Sequence, residues 1–234
     1  MAPGLPAGPG AAGPVDADAA AAHAVEDILA MISIVIPAYQ EEGRIGSTLR
    51  AIAGTVAHEV VVVANGCTDG TAAAAKRAGA RVIETPIANA SHACNLGAGD
   101  TIGDVLLFLN ADTQLAAGTL DAIAGAVPAR GDFGTCRICP DRATMPALLT
   151  AALLAFGHRL AGTSLGVLFC TRALFERAGG FDERLVAGEA NVMNACFRRL
   201  GGRHVYLGRV TAFTSMRRFE HLGYLRTQLA RLRR

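Results

Sequence analysis

Tryptophan is missing from the 234-residue chain, and aromatic residues together make up only 5% of it. Proteins that stack nucleobases of a single strand need such rings, so a nucleic-acid partner is not expected. Strong charge of one sign is missing too. The formal net charge is +2, which gives no global attraction to a polyanion. No stretch reaches the roughly 18–20 apolar residues of a membrane span. The nearest, Ala147 to Gly157, is too short and runs into His158 and Arg159. Residues 1–24 contain no Lys or Arg and so lack the basic start of a secretion signal. The cysteines at 67, 94, 136, 139, 170 and 196 are scattered. That pattern suits reduced thiols in a cytoplasmic protein better than a disulfide framework. Cys136-Arg137-Ile138-Cys139 has C-x-x-C spacing, but it is half a zinc site with no second pair. We read it as packing. His92, His158, His204 and His221 show no ligand spacing, and no internal repeat is visible.

What is present is a core-rich chain, 51% hydrophobic, of a length for one domain or at most two. Residues 1–24 are Ala, Pro and Gly with a few acids. They cannot bury enough apolar surface to offset their ordering entropy. Disorder is expected over 1–30, with a single domain over 31–234. From Ile32 the pattern alternates. Strands are expected at Ile32–Ile36 (ended by Pro37), Glu59–Ala64, Arg81–Glu84 and Asp104–Leu109. Helices are expected at Glu41–Ala53, from a cap at Thr68 to about Ala78, at Ala88–Ala98 and at Thr113–Val127. Such alternation means βαβ units and a mainly parallel, Rossmann-like α/β sheet flanked by helices. The second half is less regular. Strands are expected at Asp132–Ile138, Leu165–Cys170 and Val205–Leu207, and helices at Met145–Leu160, Arg172–Ala178 and Glu189–Leu200. Asp182 and Glu183 read as turn and capping residues. A basic helix with Phe219, Leu222, Leu225 and Leu229 on one side is expected over 217–234.

The stretch Val105-Leu106-Leu107-Phe108-Leu109-Asn110-Ala111-Asp112-Thr113 organises the rest. Five apolar residues in a row suit a strand buried on both faces. The strand then ends in an oxygen-rich tip, where open α/β sheets collect ligands. A carboxylate there can hold a hard divalent cation that bridges phosphates. Pro37-Ala38-Tyr39-Gln40-Glu41-Glu42 and Asn65-Gly66-Cys67-Thr68-Asp69-Gly70-Thr71 end the first two strands at the same edge. Together the tips offer a ring, carboxylates, amides and helix N-termini, the set a nucleoside diphosphate needs.

With those residues in order, the chain resembles the GT-A fold glycosyltransferases of glycosyltransferase family 2. The likeness runs from "SIVIPAYQEE" through "EVVVVANGCTDGT", "NLGAGDTIGDVLLFLNADT", "FCTRALFERAGGFDERLVAGEA" and "FRRLGG" to "TSMRRF". It implies transfer of a sugar from a nucleotide-sugar donor, usually a UDP-sugar, with Mg²⁺ or Mn²⁺ and an inverting outcome. By position, Pro37, Tyr39 and Glu41 fall where the family contacts the nucleoside. Asn65 and Asp69 fall on its second nucleotide-binding loop. Asn110 and Asp112 fall on the Asp-x-Asp motif, whose last Asp serves the metal. Glu189 falls in the Gly-Glu-Asp motif near the acceptor, and Arg217 and Arg218 in the motif that approaches the pyrophosphate. The nucleotide-binding half would be 31–113 and the acceptor-side half 114–216.

Departures from the family pattern accompany the resemblance. Ala64 stands where many relatives carry an Asp that recognises the base. Asn110 replaces the first Asp of the metal motif, and Cys94 precedes Asn95 where an Arg is common. Ala190 replaces the usual general base, leaving Glu189 as the nearest carboxylate in sequence. Two further readings follow: a degenerate, catalytically weak nucleotide-sugar-binding protein, and a nucleotidyltransferase. The latter is expected to have a Gly-rich basic loop after the first strand, which Pro37–Glu42 is not. The expected location is cytoplasmic, with room for peripheral contact with anionic lipid through the C-terminal Arg residues. The acceptor, the donor sugar and the oligomeric state are not legible.

Overall fold

The structure is a computed structural model that describes residues 31–127, 129–142, 144–147, 149, 152, 166–185 and 188–217. The expected disorder over 1–30, most of the expected 145–160 helix and all of the basic C-terminal segment after Arg217 lie outside the described residues.

Eight strands form one sheet: β1 (Ile32–Ala38), β2 (His58–Asn65), β3 (Arg81–Thr85), β4 (Val105–Leu109), β5 (Thr113–Leu115), β6 (Phe133–Pro140), β7 (Val167–Thr171) and β8 (His204–Thr214). Their spatial order is β3-β2-β1-β4-β7-β6-β8-β5. The first four run parallel. Strand β7 then enters antiparallel between β4 and β6, β6 and β8 are parallel, and β5 closes the edge antiparallel to β8. The helices described throughout their length are α1 (Ile45–Arg50), α2 (Thr71–Arg77), α3 (Ala90–Gly99), α4 (Thr119–Ala124), α5 (Arg172–Ala178) and α6 (Glu189–Arg199). The sheet is therefore an α/β sheet whose parallel half continues into a mixed half.

Side chains of a strand alternate between faces, and both faces are covered. Ile34, Ile36, Leu107 and Leu109 enter one buried cluster, while Val35, Leu106 and Phe108 enter another with Phe175, Phe181 and Phe197. Phe108 meets Phe181 edge to face at 4.9 Å between ring centres. Helix α3 begins where Asn89 accepts a hydrogen bond from His92 N, the usual work of an N-cap. It lies so close to the sheet that a Cβ on Gly97 would stand 2.5 Å from Val35 Cγ1.

Several local expectations are corrected. Pro37 does not end β1. It sits past the last β4 partner, Val35↔Phe108, where a missing N–H leaves no ladder bond unmade on that side. Thr68 is not the cap of α2: Gly70 holds that position, and Thr68 is drawn off to Gln40. The expected helix from Thr113 is in fact the short β5 followed by the short α4. Pairing of Thr113–Leu115 with Thr214–Ala212, sealed by a bond between the Thr113 and Thr214 hydroxyls, overrides local preference. Strand β8 runs far beyond Val205–Leu207. Its register against β6 jumps from Cys136↔Leu207 to Arg137↔Thr211, so the bulged Gly208-Arg209-Val210 hid the second half from a reading by apolar runs. Helix α1 starts only at Ile45, because residues 42–44 form a turn.

Candidate active site at the strand tips

Four segments meet at the C-terminal ends of β1, β2 and β4. The loops after β1 and β2 are stitched together. Gln40 donates to Thr68 Oγ1 at 2.7 Å, while its Oε1 accepts from the backbone N–H of Thr68 and Asp69. Glu42 N donates to Asp69 Oδ2, Gly70 N to Glu42 Oε2, and Glu41 N to Thr71 Oγ1. Gln40 adopts φ of 56°, a left-handed conformation uncommon outside glycine, and its three bonds to the second loop hold it there. Neither Gln40 nor Thr71 was singled out from the sequence. The signal was the dense run of polar groups in both loops, which does not say which group bonds which.

The expected site residues divide into those the fold brings together and those it uses elsewhere. Glu41 is buried, and its Oε1 accepts a hydrogen bond from Arg217. Arg217 Nη2 also lies 3.9 Å from Asp112 Oδ2. The chain thus joins the tips of β1 and β4 to the end of β8 across about 176 residues of sequence. The second oxygen of Glu41 is buried with no hydrogen-bond partner among the described residues, though Arg44 Nη1 stands 3.9 Å away. Asp112 is held in place from behind: Thr48 donates to Ala111 O, and Ser215 N to Asp112 O. Asn110 is exposed at the same tip, its N–H bonded to Gly166 O. Tyr39 is 54% exposed, a free ring face beside the cluster. Pro37 lies inside β1 itself.

Asp69 is engaged within its own loop. Burial pushes its pKa up, but bonds from Thr71 and from Glu42 N outweigh this and hold it below the usual range. Asn65 is buried at the tip of β2 with Oδ1 unpaired among the described residues. Arg218 lies outside the described residues.

Glu189 opens α6 after Gly188, which takes a left-handed φ of 81°. Ala190, beside it, packs against the second core cluster. Burial, and secondarily the charge of Glu189, push the Cys94 thiol of α3 far above its ordinary value, so Glu189 lies near that helix. The loop leading to α6 is fastened to α3 as well. Asn95 exchanges two hydrogen bonds with the Phe181 backbone and donates to Glu183 Oε1. His92 meets Glu183 Oε2 at 3.0 Å. Glu183 is therefore a clasp across elements, not a local cap. Asp182 does act locally, bonded to Arg184 through N–H and guanidinium, which depresses its pKa to about 2.

A metal must be tested against these residues. No group of three His, Cys, Asp or Glu side chains converges among the described residues, which fits the cysteines' free state. Asp112 fits a different kind of site. Mg²⁺ and Mn²⁺ sites that serve phosphates commonly use one or two carboxylates, leaving the remaining positions to water and substrate. The guanidinium standing beside both Asp112 and Glu41 marks the tip as a place for positive charge.

Known proteins resemble this chain in sequence and in fold. Residues 33–140 match the family model described as glycosyl transferase family 2. A stretch of 92 residues, 36% of this chain, is 35% identical to 4,4'-diaponeurosporenoate glycosyltransferase of Staphylococcus haemolyticus. That stretch spans only 24% of the relative's length. Among solved structures, the mannosyltransferase PcManGT from Pyrobaculum calidifontis, in complex with GDP-Man and Mn²⁺, superposes with a TM-score of 0.64 at 20% identity. The match covers 79% of this chain and 56% of that one. Glucosyl-3-phosphoglycerate synthase from Mycobacterium tuberculosis, in complex with Mn²⁺, UDP and glucosyl-3-phosphoglycerate, gives a TM-score of 0.57 at 21% identity, over 77% and 71% of the two chains. These likenesses establish the GT-A fold. The family-model match runs from β1 to β6 and takes in the parallel half and its tips, over which the chain is similar to glycosyl transferase family 2.

Proposed function

We propose that this chain transfers a sugar from a nucleotide-diphosphate sugar to an acceptor, using a divalent cation at Asp112. One observation carries the reading: Arg217, Glu41 and Asp112 meet at the tips of β1 and β4. A cation for phosphate and a carboxylate for metal stand side by side. Glu41 orients Arg217 toward the position of a donor diphosphate. Tyr39 offers a ring face to the nucleoside, and the stitched 40–42 and 68–71 loops wall the cleft. Asn110 offers an amide oxygen or N–H to the same group. A cation held by Asp112 would neutralise charge growing on the departing diphosphate. The described residues share one sheet, which supports a single domain from residue 31 onward.

Glu189 is the carboxylate we assign to the acceptor, as general base or as a contact that orients it. An inverting outcome rests on that assignment. Adjacent helical residues point about 100° apart, so Glu189 does not reproduce the direction of a side chain at 190. Ala190, turned to the core, favours a second reading, in which the fold binds a nucleotide sugar but turns it over weakly. No helix among the described residues is long and apolar enough to cross a membrane. Peripheral contact through the basic C-terminal segment is part of the proposal, and its test is co-sedimentation with anionic vesicles.

The deciding experiment titrates UDP and GDP into the protein with and without Mn²⁺. Asp112→Ala is expected to abolish the Mn²⁺-dependent part of binding, and Asn110→Asp to strengthen it. If neither substitution alters the titration, the metal does not sit at this tip. Following donor turnover in the same samples separates an enzyme from a binding protein. In an enzyme, Glu189→Gln keeps binding and loses about 10²-fold in rate, the low end of a general base's contribution.

A further inference from the structure

The described residues leave a cavity of about 260 Å³ at the outer edge of the parallel half, lined by Ala64, Cys67, Glu84, Thr85 and Pro86. It adjoins the first tip, since Cys67 Sγ lies 3.2 Å from Ala38 O and Tyr39 follows directly. In the β2–β3 ladder Glu84 stands opposite Ala64, so the two side chains share one face of the sheet. Ala64 gives that spot room and no polar group. Glu84 is the one ionisable carboxylate on the lining. Its Oε1 takes a hydrogen bond from Lys76 Nζ at 2.7 Å. Among the described residues no donor reaches Oε2.

We infer that Glu84 reads the base of the donor nucleotide, selecting uracil or guanine over cytosine and adenine. This rests on the nucleotide-sugar reading above and names its specificity. An ionised carboxylate only accepts hydrogen bonds. Uracil and guanine present a ring N–H on their pairing edge. Cytosine and adenine present a ring-nitrogen lone pair at that position, which repels a carboxylate. Guanine adds an amino donor beside its ring N–H and can engage both oxygens if Lys76 yields. The small Ala64 lets a carboxylate arriving from the neighbouring strand reach the space above β2. Glu84 sits on the edge strand with an exposed side chain, so its replacement leaves the core intact.

The test is a calorimetric titration of UDP, GDP, CDP and ADP in Mn²⁺, on the unaltered protein and on Glu84→Gln and Glu84→Ala. UDP or GDP is expected to bind at least about 10-fold tighter than CDP and ADP, the scale of a hydrogen bond to a charged group. Both substitutions should shrink that ratio to about 3-fold or less, with the loss falling on UDP and GDP. A ratio unchanged in both variants, or four equal affinities in the unaltered protein, overturns the inference while the nucleotide reading stands. Binding of none of the four overturns both.

Discussion

His204 opens β8 with its ring against Phe133, 5.2 Å between centres, and its Nε2 is buried without a hydrogen bond among the described residues. Burial first, and the nearby Arg198 second, lower its pKa. A base whose folded pKa lies below its unfolded value binds fewer protons folded than unfolded. Its contribution to stability is therefore complete above the ordinary value of about 6.5 and is lost as pH falls toward the folded pKa. The slope cannot exceed about 1.4 kcal/mol per pH unit for one group. Urea unfolding at pH 7.5, 6 and 5 should show this decline, and His204→Phe should flatten it between 6.5 and 5. An equal decline in the Phe variant would clear His204 of the effect. The sequence marked His204 only as lacking ligand spacing. Its burial depends on the pairing of β6 with β8, which no local pattern records.

At the level of elements, α3 shows how little room the packing leaves. Its buried face is made of small side chains, Ser91, Ala93, Cys94, Gly97 and Ala98, and this brings the helix backbone down onto β1 and β2. Alanine is ordinarily the better helix former by about 1 kcal/mol. At Gly97 the added methyl would press on Val35, Val63 and Val61, all strand residues with no free space to move into. Overpacking of this kind costs about 1–3 kcal/mol, so Gly97→Ala should lower the melting temperature despite its helix propensity. Pairing it with Val35→Ala should recover part of the loss. A rise in melting temperature for the single variant would mean that α3 can lift off the sheet. The helix was legible in the sequence, but its starting point was set by the Asn89 cap. The need for glycine at 97 comes from the sheet beneath it.

Over the whole molecule, the parallel strands with their polar tips must be held to the later elements that carry Glu189. Asn95 does much of this. It pairs with both backbone groups of Phe181 and with Glu183, and Gly180 takes φ of 79° directly against its side chain. Asn95→Ala strands the Phe181 N–H and C=O, at a cost of about 1–3 kcal/mol per unsatisfied buried group. Denaturant unfolding should show a loss of about 2–6 kcal/mol for the two groups together, accompanied by faster amide exchange in residues 180–185. Unchanged exchange there would show that the Phe181 ring, packed on Phe108 and Phe175, suffices to hold the loop. Glu183 contributes in the same place. Bonds from Asn95 and His92 hold its pKa below the usual range, so its share is complete above about pH 4.5 and is lost as pH falls through the lower folded value.

The chain's alternation of short apolar runs with helical spacing determined the α/β class, the first four strands and the three tips, because hydrophobic period and turn residues are local properties. The same local signals placed Asp112 at the end of a buried strand, where an oxygen ligand is useful. Tertiary structure alone decided the rest. It turned Thr113–Leu115 into an edge strand, carried β8 past its bulge, and delivered Arg217 to Glu41 and Asp112. It also set Glu84 opposite Ala64. Each of these depends on which distant segment supplies the hydrogen-bond partner or the counter-charge. Such pairing is chosen by the closing of the whole sheet, and no window along the sequence contains both partners.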